Sequence, residues 1–198
     1  MKPIFPVLDL QMRRWSTRLR DDLGLSAEQS NGLASAISHE IEALPAAIIS
    51  ELRCGSPTPL KSRLDELRAF QAWMEIVDRS PKHPGVTRAQ VITQNYICFV
   101  YLGEFLFKPL VKHSGAGTVI RRCCKFLTEN PVRAFRNAIA HSNWRYTDDY
   151  RGLVFWAKKG GDAEEPMVEW VVLQEDLNFW QALARSTAYV ILSRIEGI

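Results

Sequence analysis

Apolar residues recur at helical spacing through most of this chain. Val7, Leu8, Met12, Trp15 and Leu19 predict a helix over 7–23, which Gly24 can end. Ser26-Ala27-Glu28-Gln29 has the form of a capping box and opens a second helix carrying Leu33, Ile37, Ile41 and Leu44. Pro45 breaks or kinks it, and Ala46 to Arg53 continue as a further helical piece. After the loop Cys54 to Pro59, the run Leu64, Leu67, Phe70, Ala72, Trp73, Ile76 and Val77 predicts a helix over 60–79. Ser80 to Val86 is a second loop, and Thr87-Arg88-Ala89-Gln90 is another capping box. The helix that follows, from Val91 to Leu106, is apolar almost all round. That pattern predicts the central helix of a bundle.

Beyond Pro109, the glycine-rich His113 to Thr118 reads as a helix–helix connection, because it lacks the Lys-Ser/Thr of a phosphate loop. Val119 to Leu127 is a short basic helix. From Asn130 to Trp144 comes a stretch with two distinct sides. Asn130 can cap a helix and Pro131 suits its first position. Val132, Phe135, Ala138 and Ile139 fall on one side, and Arg133, Arg136, Asn137 and His141 on the other. Ala134 and Ala140 are small enough to let a second surface approach. Thereafter the style changes. Tyr146 to Tyr150 is a turn cluster, Gly152 to Ala157 and Met167 to Leu173 are β-rich, and Gly160-Gly161 lies between them, which predicts a two-stranded hairpin. Leu177 to Ile195 gives a last amphipathic helix.

A chain of 198 residues, 46% hydrophobic and 24% charged, can bury one substantial core and does not read as disordered. No apolar run approaches the ~20 residues of a membrane span. The first residues lack a signal-peptide core, and the four cysteines form no C-x-x-C pair, so the expectation is reduced thiols in a cytoplasmic protein. The net charge of +3 is unevenly placed. Residues 108–159 hold 11 Lys/Arg against 3 Asp/Glu, and the remainder is net acidic. A polyanion meeting the basic segment is one explanation, and an ordinary solvated surface is the other. The same two readings apply to Arg13, Arg14, Arg18 and Arg20, which can equally pair with Asp9, Asp21 and Asp22. His39 beside Glu40 and Glu42 is a conceivable metal site, but reads more simply as the wet face of a helix. No metal or other cofactor is expected. No G-x-S-x-G and no Cys/His protease or zinc setting occurs, and Glu104 and Glu129 stand isolated in the sequence.

Arg136-Asn137-Ala138-Ile139-Ala140-His141, followed by Trp144, resembles the Arg-polar-x-x-x-His signature of the HEPN superfamily (higher eukaryotes and prokaryotes nucleotide-binding domain). The likeness is sharp over about 130–146 and architectural elsewhere. It implies one HEPN-like helical bundle over 1–198. Within it, 1–25 is an N-terminal helix, 26–146 the bundle core ending in the motif helix, 150–174 the hairpin and 175–198 the last helix. It also implies a metal-independent endoribonuclease, in which the ribose 2′-OH attacks the phosphate and leaves a 2′,3′-cyclic end. A histidine transfers protons near neutral pH and an arginine fork steadies the phosphorane, so His141 and Arg136 are the catalytic candidates. Asn137, one turn before His141, is the third catalytic candidate, placed to orient the imidazole or to bind a phosphate. Arg133, Ser142, Asn143, Trp144 and Tyr146 are candidate RNA contacts through phosphate, hydrogen bonds or stacking. One histidine per chain is thin for acid–base work. The resemblance implies a homodimer through the motif helix, with Ala140 and Trp144 suited to close approach. It further implies toxin or defence roles and an antitoxin of nucleotidyltransferase type. A non-catalytic module that binds RNA, a nucleotide or a protein is the alternative.

Overall fold

The computed structural model describes residues 5–54, 60–79, 91–158 and 164–196. Of the loop expected at 54–59, Cys54 ends a helix and 55–59 lie outside the described residues, as do the loop expected at 80–86, the capping box at 87–90 and the Gly160-Gly161 turn. The expected first helix runs as α1 (Phe5–Met12), a 3-10 turn (Arg13–Trp15) and α2 (Ser16–Asp21). Gly24 follows at φ +67°, the left-handed conformation that only glycine adopts without cost. Helix α3 (Ala27–Asn31) opens on the expected box: Gln29 N–H donates to Ser26 Oγ at 3.1 Å, and Ser26 N–H to Gln29 Oε1 at 3.0 Å. Then come α4 (Leu33–Glu42), α5 (Ala46–Cys54), on either side of Pro45, and α6 (Leu60–Arg79).

The helical run over 91–113 is unusual in its winding. It is π-helical over Tyr96–Tyr101 and Gly103–Phe107, and ends as α7 (Lys108–His113). Helices α8 (Val119–Thr128) and α9 (Val132–Ala140) follow, then β1 (Trp144–Tyr146), β2 (Gly152–Lys158), β3 (Met167–Leu173) and α10 (Gln174–Glu196). The protein is thus mainly helical with one small antiparallel sheet, ordered β1-β2-β3.

Two expectations need correcting. The sheet has three strands, not two. Trp144 pairs with Phe155 and Tyr146 with Leu153, so the end of the motif phrase is itself a strand. Three residues are too few to show a period of two in sequence. The central helix is also not the one over 91–106, which leaves Ile92, Tyr96 and Phe105 exposed. It is α10, buried on every side along its middle: Gln181, Ala182, Leu183, Ala184 and Ser186 to Ser193 are all covered. Helices α1, α4, α6 and α8 pack around it. Its small and hydroxyl side chains lower its hydropathy, which is why it reads as merely amphipathic. Inside the bundle they let neighbouring helices come close.

Two sets of contacts hold α8 and the motif helix that follows it. Glu40 on α4 accepts the N–H groups of Val119 and Ile120, both at 2.8 Å, and so satisfies the first turn of α8. Phe135 on α9 is fully buried and meets three aromatic rings edge-on. These are Phe99 of the π-helical run at 5.9 Å, Trp180 of α10 at 5.8 Å and Phe155 of β2 at 5.1 Å. The inner face of the sheet therefore lies against the motif helix, with Trp170 stacked on Phe155 at 5.5 Å. Truncating Phe135 to Ala removes all three contacts and leaves a cavity. The expected loss is about 3–5 kcal/mol, read as a lowered urea midpoint.

Candidate functional site

The motif helix divides as the spacing predicts. Val132, Phe135, Ala138 and Ile139 are buried, while Arg133, Arg136, Asn137 and His141 lie on the outer side. Its start differs from expectation. The helix begins at Val132 with Pro131 in the cap position, after a cis Asn130–Pro131 peptide, and Pro131 offers no side-chain cap. The carbonyl of Glu129 accepts the Arg133 N–H at 2.8 Å instead. Ala134 is completely buried in its own chain, so of the two small residues only Ala140 faces outward.

The end of the helix is built closely. His141 is the cap residue, and Ser142 takes φ +58°. Asn143 N–H reaches back to the Ala138 carbonyl at 2.8 Å and Ser142 N–H to that of Ile139 at 3.3 Å, the paired bonds of a Schellman turn. Asn143 in turn accepts from the Trp156 N–H at 3.1 Å, which couples the turn to β2. The chain passes from motif helix to sheet within three residues, and exposed His141 stands on that corner.

Arg136 is the most constrained of the outer residues. Its side chain is 18% exposed, and its Nη1 lies 2.6 Å from Glu104 Oε1. Nε and Nη2 donate to Asn137 Oδ1 at 3.3 and 3.1 Å. Glu104 also takes Lys108 Nζ at 2.6 and 2.8 Å, so one carboxylate bridges two cations. Through Oδ1, Asn137 therefore orients the guanidinium. Glu104 is far from isolated: its carboxylate is bonded to the motif arginine. The sequence held a signal for its pairing with Lys108, four residues on, but none for the contact made 32 residues away.

The candidate RNA contacts divide. Arg133 and Asn143 are half-buried, and Ser142 is exposed. Trp144 is 3% exposed, its ring covered as an inner-face strand residue, so it presents no face to a base or to a second chain. That corrects its assignment to substrate and dimer contacts. Tyr146 is half-buried, with its ring 5.5 Å from Trp144 and 5.8 Å from Tyr150. Tyr150, read in sequence only as part of a turn, is the aromatic of this group that stands open to solvent.

Elsewhere, the acidic groups near His39 are engaged: Glu40 on α8, and Glu42 with Arg194 at 2.9 Å. No cluster suited to a metal ion occurs among the described residues. Arg18 pairs with Asp22 at 2.8 Å and with Asp176, while Asp9 is buried and accepts from the Ala34 N–H at 2.6 Å. Burial pushes the thiols of Cys98 and Cys123 up to about 11 and about 12, and that of Cys124 well above its ordinary value. None of these three is a nucleophile near neutral pH. No helix among the described residues is long and apolar enough to cross a membrane. Comparisons with family models, curated proteins and solved structures give no match.

The left-handed conformation at Ser142 costs a non-glycine residue roughly 1 kcal/mol. Ser142→Gly is expected to raise stability by up to about 1 kcal/mol in urea melts. A drop in stability would mean that the hydroxyl, and not the turn geometry, matters there.

Proposed function

We propose that this protein is a metal-independent endoribonuclease of HEPN type that works as a homodimer. The observation carrying the proposal is the Arg136–Glu104 ion pair on the outer side of the helix that ends in exposed His141. A guanidinium held by Asn137 and Glu104 lies five residues, about 1.4 helical turns, before an exposed imidazole at the helix end. The resemblance of Arg136 to His141 to the HEPN signature adds to it. Arg136 and the neighbouring Lys108 and Arg133 hold phosphate oxygens and steady the phosphorane. One proton-transfer group takes the 2′-OH proton and another returns a proton to the departing 5′-oxygen. His141 fills one role. Glu104, or His141 of a second copy across the exposed Ala140 face, fills the other. The products are a 2′,3′-cyclic phosphate and a 5′-hydroxyl. DNA, without the 2′-OH, binds but is not cut. A cytoplasmic toxin or defence role with a nucleotidyltransferase-type antitoxin follows from the resemblance alone.

A second reading has its own observation. Arg136 is already neutralised by Glu104 and mostly covered, as in a group that organises a surface. In that case the basic face binds RNA or a protein without cutting.

Cleavage of mixed single-stranded and structured RNA in EDTA separates the two. Wild-type chain is expected to give cyclic-phosphate ends. Arg136→Ala and His141→Ala are expected to slow cutting about 100-fold or more while keeping the native melting curve. Glu104→Gln is the discriminating variant. A proton acceptor lost there slows cutting to a similar degree. A mere restraint on Arg136 instead tightens RNA binding and leaves the rate unchanged. Absence of fragments across the panel, with salt-dependent RNA binding retained, replaces the nuclease by the binding module.

A further inference from the structure

Between α6 and the π-helical run lies a small pocket of about 150 Å³. Its walls are Leu67, Ile97 and Leu102, and its rim carries Tyr96 and Tyr101. Drug-sized sites begin at roughly 300 Å³, so this space suits a single planar ring system. Two charged groups, three residues apart on α6, also line it: Arg63 and Glu66. Residues so spaced lie on one side of a helix.

Arg63 is the anomaly. It is 3% exposed, yet among the described residues it forms no ion pair and its Nε–H has no partner. Nη2 donates to the Leu52 carbonyl at 3.1 Å. Burial lowers its pKa, and the charges of Glu196 and Glu66 oppose that shift. A buried donor left without an acceptor is costly, and a ligand oxygen in the pocket would relieve it. The rim is the opposite kind of surface. Tyr96 is 50% exposed and Phe105 38%, and Phe105 lies 5.2 Å from the ring of Tyr101. The π winding aligns them, since Tyr96 and Tyr101 are five residues apart, close to one π-helical turn. Glu104, bonded to Arg136, sits on the same run, one residue before Phe105.

We propose that this pocket takes a keto nucleobase, guanine or uracil, from the RNA strand whose backbone lies against Arg136. This rests on the ribonuclease reading for the strand, though not for the pocket itself. The base stacks on Tyr96 and Tyr101, whose π faces accept any base. Discrimination comes from the two charged side chains. Guanine and uracil each present a keto oxygen beside a ring N–H. Arg63 donates to the first, and the Glu66 carboxylate, which already takes the Tyr101 hydroxyl on Oε2 at 3.3 Å, accepts from the second with a remaining lone pair. Adenine and cytosine present an amino group facing the Arg63 donor and a bare ring nitrogen facing the Glu66 acceptor. Both contacts are then lost, and a buried donor stays unpaired.

The first test titrates the full chain with guanosine, uridine, adenosine and cytidine, following amide shifts by NMR. Saturable shifts centred on Tyr96 and Tyr101 are expected for guanosine and uridine, at least tenfold tighter than for the other two. Glu66→Gln, at an exposed position, should erase the preference. Tyr96→Ala should weaken all four. Equal binding of adenosine, or no saturable shift with any nucleoside, overturns the pocket whatever the cleavage assay gives. The second test compares cutting in EDTA of a strand built from adenine and cytosine with the same strand carrying one guanine or uracil. Cutting beside the keto base is expected. Uniform cutting of both strands leaves the nuclease standing and removes the pocket from its specificity. No cutting of either, with nucleoside selectivity intact, removes the nuclease and leaves the pocket.

Discussion

The edge-on contacts of Phe135 hold the working parts of this fold in one frame. A single ring joins the π-helical run, the central helix and the sheet, and it belongs to the helix that carries the motif. Arg136 follows it directly in the chain and points the other way. A shift of the aromatic cluster therefore moves the guanidinium by the same rotation. The small sheet has its place in the same logic. A lone hairpin is marginal in water. Here it is bedded on Phe135 through Phe155 and extended by a strand that grows straight out of the motif turn. It backs the motif helix and fixes the direction in which the chain leaves His141.

Much of the helical layout was legible in the sequence because amphipathic spacing and caps are local signals. The two sides of α9, the capping box at Ser26 and the break at Pro45 are written in neighbouring residues. What stayed hidden depends on distant partners. Glu104 finds Arg136 across 32 residues. Glu40 looked like part of a wet helix face, and its carboxylate instead serves the first turn of α8, 79 and 80 residues away. Trp144, beside a nucleic-acid-like motif, looked like a stacking surface. Period-two alternation turned it inward, and three residues could not reveal that in advance. The central role went to α10, not the more apolar run over 91–106, because alanines, serines and threonines permit close packing where bulky side chains keep helices apart.

The two charged systems beside the π-helical run obey different rules. Around Arg136, the guanidinium is held by a carboxylate and an amide, so its position is set before any ligand arrives. Preorganised donors of this kind need no rearrangement at the moment of use. Around Arg63 the balance is unfinished: a buried cation has a helix carbonyl and little else among the described residues. One site is poised by satisfaction and the other by want of a partner, and the π-helical run passes beside both.

The place of α10 in chain order also bears on how the protein is made. It packs against α1 and α4, more than a hundred residues earlier in the chain. A ribosome must therefore deliver everything up to Leu173 before the helix that organises the core exists. Until then the earlier helices lack their common partner and Phe135 lacks Trp180. Long-range closure of this sort slows folding. A nascent chain still short of α10 therefore holds the motif helix without the ring of Trp180 against Phe135.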